Sequence, residues 1–343
     1  MIKAGIVGCG YIAGEGDLVA KRPQIFTHAK AIAHTEGIKL IACCDIDKDV
    51  AQDFADKWNV HGVYTDLEQM LEMELVDILV IASPTEFHQK HLSIGIKSKV
   101  QAIFCEKPIS DNYDFALELE QQVQKHKKTV AINFMRRWDS FYIECKEVLD
   151  SGELGRIDSI VAYVDTALYM NSIHMLDMVI YFGGDVLSCS GKIDRINKAR
   201  EVHGKLDYGG YAFLQHKNGI ISFIKASGES RKNNYFEIDI QCTKGRIRML
   251  SDGEKYEVYK FKKIEHRPWL SSLALDRSVE NIKRNERLVD AYKDIINSMS
   301  SDIETQSSIT NALKSMEIIK MIYRSDFENN KQINSYIGVD NEQ

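Results

Sequence analysis

The sequence predicts an N-terminal α/β domain built on a doubly wound parallel sheet, followed by an α+β domain with a largely antiparallel sheet. The chain has 343 residues, more than a single hydrophobic core usually serves. Apolar runs alternate with helical patterns in the first third, and closely spaced strand-like runs with turn signals follow later. We predict domains over residues 1–132 and 133–343, and leave open whether the last helix packs back on the first domain.

The N-terminal part alternates short apolar runs with amphipathic stretches. The runs predict strands over residues 2–7, 38–44, 76–82, 100–105 and 129–132. The stretches between them predict helices over residues 49–58, 67–73, 86–97 and 114–126. Continuously apolar strands separated by helices are typical of a parallel sheet covered on both faces. Because crossovers between such strands are right-handed, we expect a doubly wound sheet.

In the second part of the chain the predicted helices and strands follow a different order. Helical patterns predict helices over residues 140–149 and 173–182. Strand patterns cover residues 210–216, 219–226, 235–242, 246–250 and 256–261, and the turn signals Asn218-Gly219 and Asp252-Gly253 separate some of them. Two further helices are predicted over residues 276–298 and 307–325. Segregated helices and antiparallel strands indicate an α+β domain.

Composition argues against several classes of partner. Lysine and arginine number 44 against 50 acidic residues, which gives a net charge of −6. With no basic stripe, nucleic acid and anionic membrane surfaces are not expected partners. No apolar run approaches the roughly 20 residues that span a bilayer, and we expect no secretory signal at the N-terminus.

Cysteine and histidine usage argues against disulfides and metals. The seven cysteines form no Cys-x-x-Cys pair, so we expect free thiols in a reducing cytoplasm. His88 and His91 are three residues apart and could supply half of a metal site, but no further His or Cys cluster completes it. We therefore predict no metal.

A glycine motif follows the first predicted strand directly. Gly8 and Gly10 stand in the pattern Gly-x-Gly-x-x-Ala, and Tyr11 and Ile12 open the next helix. Glycine lets the backbone turn tightly and approach a pyrophosphate, which the amides of a helix N-terminus then face. The sequence thus predicts dinucleotide binding at these four residues. The alternative is a tight turn with no ligand.

Asp45 ends the second predicted strand, where a carboxylate can accept from both ribose hydroxyls and repel a 2′-phosphate. We therefore expect NAD, with NADP as the open alternative. Asp45 lies 35 residues beyond Gly10, against a usual spacing of about 20, and an inserted segment over residues 14–27 that includes Pro23 accounts for the excess. The other interpretation of Asp45 is a turn or helix-capping aspartate, because Asp47 and Asp49 follow closely.

The run Glu106-Lys107-Pro108 ends a later strand, at the sheet edge where ligands bind in such folds. Together with the glycine motif it resembles the glucose–fructose oxidoreductase and inositol 2-dehydrogenase (Gfo/Idh/MocA) family of NAD(P)-dependent oxidoreductases. The resemblance implies that Lys107 lies beside the nicotinamide, contacts both cofactor and substrate, and donates to the reacting oxygen. An ammonium placed at a developing alkoxide stabilises that charge.

Further segments carry the same resemblance over most of the chain. Residues 82–88 are similar to the family's Thr-Pro-x-x-x-His loop near the nicotinamide, which implies cofactor contacts for Ser83, Pro84, His88 and Glu106. Residues 133–138, 152–157 and 315–318 also match family segments. In the first of these, Arg136 and Arg137 could bind a carboxylated or phosphorylated substrate, or could be solvated charges at a helix entry; we take Arg136 as the candidate.

Residues 172–177 resemble the family's His-x-x-Asp helix, which implies that His174 is the acid/base and that Asn171, His174 and Asp177 contact the substrate. Residues three apart lie on one helical face. A histidine near its reference pKa of ~6.5 can accept the proton that a hydroxyl releases. The alternative is a core histidine bonded to Asp177. The family often has an aspartate four residues before the histidine, where this chain has Met170.

The sequence thus predicts hydride transfer between NAD and a secondary alcohol or ketone carbon of a sugar, nucleotide sugar or polyol. The main alternative is a non-catalytic NAD-binding sensor of the same fold, which would need neither Lys107 nor His174. An imine or amino-acid reductase is disfavoured by Glu106-Lys107-Pro108. From the resemblance we also expect a homodimer or homotetramer.

Overall fold

The computed structural model describes residues 1–20, 24–197, 199–202, 205–227, 235–301 and 303–336. Pro23 of the predicted insertion and the side chain of Met170 lie outside the described part. The chain divides into two compact units. Unit 1 comprises residues 1–139 and 285–313, and unit 2 comprises residues 140–284 and 314–343. The predicted boundary between residues 132 and 133 stays a prediction.

Strands and helices alternate in the first part of the chain, and strands dominate after residue 183. The strands are β1 (Ile2–Val7), β2 (Ile38–Cys44), β3 (Gly62–Tyr64), β4 (Ile78–Ile81), β5 (Ala102–Cys105), β6 (Thr129–Ile132), β7 (Ile157–Val164), β8 (Val186–Asp194), β9 (Arg200–Val202), β10 (Lys205–Asp207), β11 (Gly209–His216), β12 (Ile221–Ala226), β13 (Phe236–Cys242), β14 (Gly245–Leu250), β15 (Lys255–Ile264), β16 (Arg267–Glu280) and β17 (Ile333–Asn334). The helices are α1 (Gly16–Val19), α2 (His28–Ala33), α3 (Lys48–Trp58), α4 (Leu67–Met73), α5 (Thr85–Lys97), α6 (Tyr113–His126), α7 (Ser140–Asp150), α8 (Ile173–Gly183), α9 (Arg287–Met299) and α10 (Ile309–Phe327).

Unit 1 contains a six-stranded parallel sheet in the order β3-β2-β1-β4-β5-β6. Strands β4 and β5 are buried throughout, as expected for a sheet covered on both faces. The strand order reverses between β1 and β4, and ligands of such sheets bind outside the carboxyl ends of the strands at this point. The fold class predicted for the N-terminal part is confirmed.

Helix caps and a shared core hold unit 1 together. Side chains of Asp47, Asp66 and Asn112 cap the N-termini of α3, α4 and α6 by accepting from backbone N–H groups. Helix α9 also belongs to this unit, and its Leu288 and Tyr292 are buried in the same apolar cluster as the central strands. A segment distant in sequence thus completes the cover of the parallel sheet.

Unit 2 contains a nine-stranded sheet in the order β16-β15-β14-β13-β7-β12-β11-β8-β17. All of its neighbouring pairs are antiparallel except β7 with β12, which is parallel, so the predicted, largely antiparallel α+β class is confirmed. Helix α8 is buried almost all round. Among the described residues, no helix is long and apolar enough to cross a membrane.

The prediction of one continuous helix over residues 276–298 was wrong in its first part. Residues 276–280 belong to β16, which pairs with β15, and the helix begins at Arg287. The charged residues of this stretch fit a helix as well as an exposed edge strand, and the long pairing with β15 decides between them. Strand β8 was not predicted, because Ser188, Ser190 and Gly191 interrupt its apolar pattern.

Candidate active site

The glycine turn after β1 brings two loops of unit 1 into close contact. Gly8 has φ +86°, and a Cβ at this position would lie 2.6 Å from the Cα of Ser83. Only glycine fits that conformation and that approach. Gly10 has the opposite surroundings, because a Cβ there would meet no atom within 4 Å. Gly8 therefore shapes the turn, and Gly10 leaves its outer side open.

A π-helical turn, Tyr11–Glu15, follows Gly10 and continues into α1. Ala13 is fully buried, and a Cβ at Gly14 would overlap the Trp58 side chain, so this turn packs closely on the helix α3 beside it. Tyr11 is 45% exposed, and its ring makes an edge contact with Phe26 at 5.8 Å between centroids. Ile12 is partly buried. Small residues thus set the position of this turn.

Asp45 leaves the end of β2 toward the glycine turn. One carboxylate oxygen accepts from the backbone N–H of Cys9 at 2.8 Å, and the other accepts from the N–H of Asp47 at 3.1 Å. The helix-capping interpretation of Asp45 was wrong, because Asp47 is the residue that caps α3. A turn role remains, since Asp45 binds the backbone two residues on. The carboxylate is fixed directly beside the turn that opens at Gly10.

The loop after β4 is fastened by two histidines of α5. Nδ1 of His88 lies 2.7 Å from the carbonyl oxygen of Pro108, and Nε2 lies 2.7 Å from that of Ser83. Burial lowers the pKa of His88, so the ring is neutral near pH 7 and donates to one carbonyl at a time. Nδ1 of His91 lies 2.9 Å from Oγ of Ser83. Burial, with the charges of His88 and Lys90, lowers the pKa of His91 to about 4.

Through these contacts His88 and His91 hold the loops at the carboxyl edge of the sheet. Pro84 stands between Ser83 and the start of α5. Among the described residues, no group of three or more His, Cys, Asp or Glu side chains could hold a metal ion.

Lys107 follows β5 at the same edge of the sheet and is joined to Pro108 by a cis peptide bond. Its side chain is partly buried, and its charge acts on both neighbours: it lowers the pKa of Glu106 and that of His88. Lys107 thus lies in the loop after β5, which His88 ties to the loop after β4, and Gly8 of the loop after β1 closely approaches Ser83 of the loop after β4. These are the loops that the sequence assigned to the cofactor.

A buried network surrounds the Glu106 carboxylate, and part of it was not predicted from the sequence. Glu106 Oε1 accepts from the side-chain amide of Asn133 at 2.6 Å and lies 3.2 Å from Nε2 of His28. Nδ1 of His28 lies 2.8 Å from the hydroxyl of Tyr292. His28 and Tyr292 are 264 positions apart. No local pattern marks either residue as part of this site.

Unit 2 holds the second group of predicted residues. His174 lies in the first turn of α8 and is 2% exposed, and Asp177, one turn on, is fully buried. Asn171 lies in the π-helical turn Leu168–Ser172 before α8 and is partly buried. The three residues thus share one helix entry. The catalytic role of His174 and the substrate contacts of all three stay predictions.

The paired arginines lie in the short 3₁₀ helix Met135–Trp138 of unit 1. Both are buried, at 7% exposure for Arg136 and 6% for Arg137, so the interpretation as solvated charges was wrong. Arg137 donates to the backbone carbonyl of Gln306 at 3.2 Å. Arg137 therefore helps to hold the segment before α10, and the substrate contact of Arg136 stays a prediction.

The sheet edge fits a dinucleotide on three observations. The outer side of Gly10 is open, the amides of the next turn follow it, and a fixed carboxylate stands at the end of the neighbouring strand. A strand order of 3-2-1-4-5-6 with a glycine turn at the switch point defines a dinucleotide-binding protein of the Rossmann class.

Comparison with protein families gives the particular family. Residues 2–134 match the description "Oxidoreductase family, NAD-binding Rossmann fold", and residues 164–334 match "Oxidoreductase family, C-terminal alpha/beta domain". The chain therefore belongs to the Gfo/Idh/MocA oxidoreductase family, and the resemblance seen in the sequence is confirmed.

Three named proteins are similar to this chain in sequence or in structure. Inositol 2-dehydrogenase of Salmonella typhimurium is 30% identical over 158 residues, and the match spans 45% of this chain and 43% of that enzyme. An NAD binding oxidoreductase from Klebsiella pneumoniae superposes with a TM-score of 0.82 at 16% identity, with 97% of this chain and 98% of that chain covered. The WlbA dehydrogenase from Bordetella pertussis, in complex with NADH and UDP-GlcNAcA, gives 0.76 at 18% identity with the same coverage. The two structures share the fold.

Proposed function

We propose that the protein transfers a hydride between NAD and a secondary alcohol or ketone carbon of a sugar, nucleotide sugar or polyol. The observation that carries this proposal is the position of Lys107. Lys107 follows β5 at the carboxyl edge of the parallel sheet. It stands between Glu106 and Pro108 on the loop that His88 ties to the Ser83 loop, and its charge helps to lower the pKa of Glu106. A binding protein that performs no chemistry has no need of a charged lysine there.

The residues of unit 1 supply both binding and charge stabilisation. Gly8, Gly10, Tyr11 and Ile12 would hold the pyrophosphate, since backbone N–H groups at a helix start favour an anion. Asp45 would accept from the ribose hydroxyls, which favours NAD and leaves NADP as the alternative. Bound NAD would supply the hydride acceptor.

On the same proposal, the loop residues Ser83, Pro84, His88 and Glu106 form the wall beside the nicotinamide. Lys107 would donate to the reacting oxygen and stabilise the negative charge that develops on it. The chemistry assigned to this chain is thus orientation of the alcohol and stabilisation of its alkoxide, together with removal of one proton.

We assign the proton transfer to His174, and contacts to the substrate hydroxyls to Asn171, Asp177 and Arg136. A buried histidine followed one turn later by a buried aspartate can be held in one tautomer, as a general base requires. Residues 133–343 are proposed as the substrate-binding and oligomerisation domain. The substrate class is supported by the relatives, which include an inositol dehydrogenase and a dehydrogenase in complex with UDP-GlcNAcA.

We further propose that a second copy of the chain covers one face of the nine-stranded sheet. Phe213 is 54% exposed and contacts Phe223 at 5.0 Å between ring centroids, and Tyr163 contacts Phe223 at 6.5 Å. Ile221, on the strand next to Phe213, is also 54% exposed. A contiguous apolar patch of this kind on a folded domain is typical of a protein interface.

The proposal is tested by offering the purified protein NAD or NADP with a panel of free polyols, sugars and nucleotide sugars while following reduced-nicotinamide absorbance. We expect turnover of at least one member with NAD. Tight NAD binding in calorimetry with no turnover on the whole panel would contradict the enzyme assignment and favour the NAD-binding sensor.

A further inference from the structure

His28 joins two elements to the strand end that carries Lys107. It is the first residue of α2 and is fully buried. One ring nitrogen lies 3.2 Å from the Glu106 carboxylate, whose side chain is 12% exposed, and the other lies 2.8 Å from the hydroxyl of Tyr292 on α9. The Phe104 ring makes edge contacts with the rings of His28 and Tyr292, at 5.1 and 5.2 Å between centroids.

The chemistry of the partners fixes the direction of these hydrogen bonds. Burial raises the pKa of Glu106, but the His28 and Asn133 donors and the Lys107 charge outweigh it, so its pKa is lowered overall and the group is a carboxylate. A carboxylate only accepts, so Nε2 of His28 carries the proton. Burial and the Glu106 charge hold the pKa of Tyr292 well above its usual value, so its O–H donates to Nδ1.

We propose that His28 and Tyr292 are positioning residues that keep Glu106 ionised and fixed in orientation, and that Glu106 in turn keeps the Lys107 ammonium charged and in place. This inference rests on the proposed function, in which Lys107 contacts the reacting oxygen. It assigns a task to a residue that lies outside the dinucleotide motif and the lysine motif alike.

His28 is one of several groups that act on the charge of Glu106. The titratable and charged groups that act on the carboxylate are His28 from α2, Tyr292 from α9, His88 from α5, and Lys107 and Cys105 from its own segment. Burial keeps His88 and the Cys105 thiol neutral near pH 7, because it lowers the pKa of the first and raises that of the second.

Without the His28 donor, only Asn133 and Lys107 oppose the effect of burial, so the protonated form of Glu106 becomes more favourable than in the wild type. A neutral Glu106 would no longer offset the Lys107 charge, and the pKa of the lysine would fall. The direction of the expected pH shift follows from this. Loss of His28 raises the pKa of Glu106, so the requirement for its carboxylate moves the acid limb of the rate profile to higher pH.

The test compares four variants of the full chain with the wild type, and a fifth variant, Glu106→Gln, serves only to assign the NMR signal. His28→Leu removes both hydrogen bonds, and His28→Gln offers an amide N–H to Glu106 and a carbonyl to Tyr292. Tyr292→Phe removes only the hydroxyl that donates to Nδ1 of His28. His34→Gln is the matched control, because His34 lies just after α2, is exposed, and bonds only the carbonyl of Lys30 among the described contacts.

Two readouts separate positioning from packing. The first is the Glu106 carboxyl titration by 13C NMR in the protein without nucleotide, assigned with Glu106→Gln. We expect its midpoint to rise by about one pH unit in His28→Leu, as for loss of one hydrogen bond to a charged group, and to rise less in Tyr292→Phe. The second readout is the pH profile of kcat. For His28→Leu we expect kcat to fall about tenfold while KM for NAD stays unchanged, and for His28→Gln and His34→Gln we expect kcat to stay near the wild-type value.

An unchanged Glu106 midpoint in His28→Leu would overturn the inference, and so would a variant that loses only thermal stability. If His28→Leu does not fold, the Tyr292→Phe variant provides the test. An unchanged titration midpoint of Glu106 in Tyr292→Phe would contradict the proposed hydrogen-bond chain from Tyr292 through His28 to Glu106. The NMR titration needs no turnover, so a wild-type protein that fails to oxidise any sugar would contradict the proposed function and leave this measurement intact.

Discussion

The backbone N–H of Cys9 donates a hydrogen bond of 2.8 Å to the carboxylate of Asp45, 36 residues further along the chain. This contact fixes the carboxylate that follows β2 against the turn between Gly8 and Gly10. The glycine turn and Asp45 are therefore adjacent in space although Asp45 lies 35 residues beyond Gly10 in the sequence. Asp45 therefore reaches the glycine turn through the fold, even though its distance from that turn in the sequence exceeds the usual spacing of about 20 residues.

Asp45→Ser tests the assignment of the ribose carboxylate. The substitution removes a charged acceptor and the repulsion of a 2′-phosphate, so NAD should bind about tenfold more weakly and the preference for NAD over NADP should narrow. The control is Asp47→Ser, which weakens the α3 cap and should leave that preference unchanged. Dissociation constants for both nucleotides provide the measurement. An unchanged ratio in Asp45→Ser would show that another residue binds the ribose.

Gly10→Ala tests the open side of the turn. Gly10 has φ −83°, and a Cβ added there would meet no atom within 4 Å, so the melting temperature should hold or rise. The added methyl would stand where the pyrophosphate approaches, so NAD affinity should fall by about tenfold or more. Gly8→Ala is the matched variant and should lose stability outright, because its φ is +86°. Full NAD affinity in Gly10→Ala would place the pyrophosphate elsewhere.

His174→Asn tests the proton acceptor in unit 2. Asparagine keeps a polar side chain of similar size but cannot accept a proton at neutral pH, so kcat should fall on the order of 10²-fold with NAD affinity unchanged. The exposed His126 in α6 supplies the control His126→Asn, which should behave as wild type. Wild-type kcat in a folded His174→Asn protein would assign His174 to core packing.

Phe213→Glu tests the aromatic face of the nine-stranded sheet. A charge among exposed rings should dissociate the proposed oligomer, because the rings that would be buried by a second copy are then solvated. Phe327→Glu is the control, since Phe327 is 88% exposed and is the last residue of α10. Light scattering after gel filtration gives the mass of each variant. A wild-type protein that elutes as a monomer would contradict the proposal.

The sequence was informative where function depends on a local motif. Gly8, Gly10 and Lys107 are recognised because each follows an apolar strand, and those strands were found from their patterns. The network of His28 with Tyr292 was not predictable in this way, because the two residues meet only through the packing of α9 on unit 1. Strand β16 was missed for a related reason. It is defined by its pairing with β15, and the local pattern of charged residues does not predict that pairing.

Lys107→Met tests the central claim most directly. Methionine keeps the length of the side chain and removes the charge, so turnover on a sugar substrate should fall by about 10² or more while NAD binding stays within about twofold of wild type. Lys99→Met, at an exposed position before β5, is the control and should leave both quantities unchanged. The measurement is kcat alongside the NAD dissociation constant. Turnover at the wild-type rate in Lys107→Met would contradict the proposed role of its ammonium.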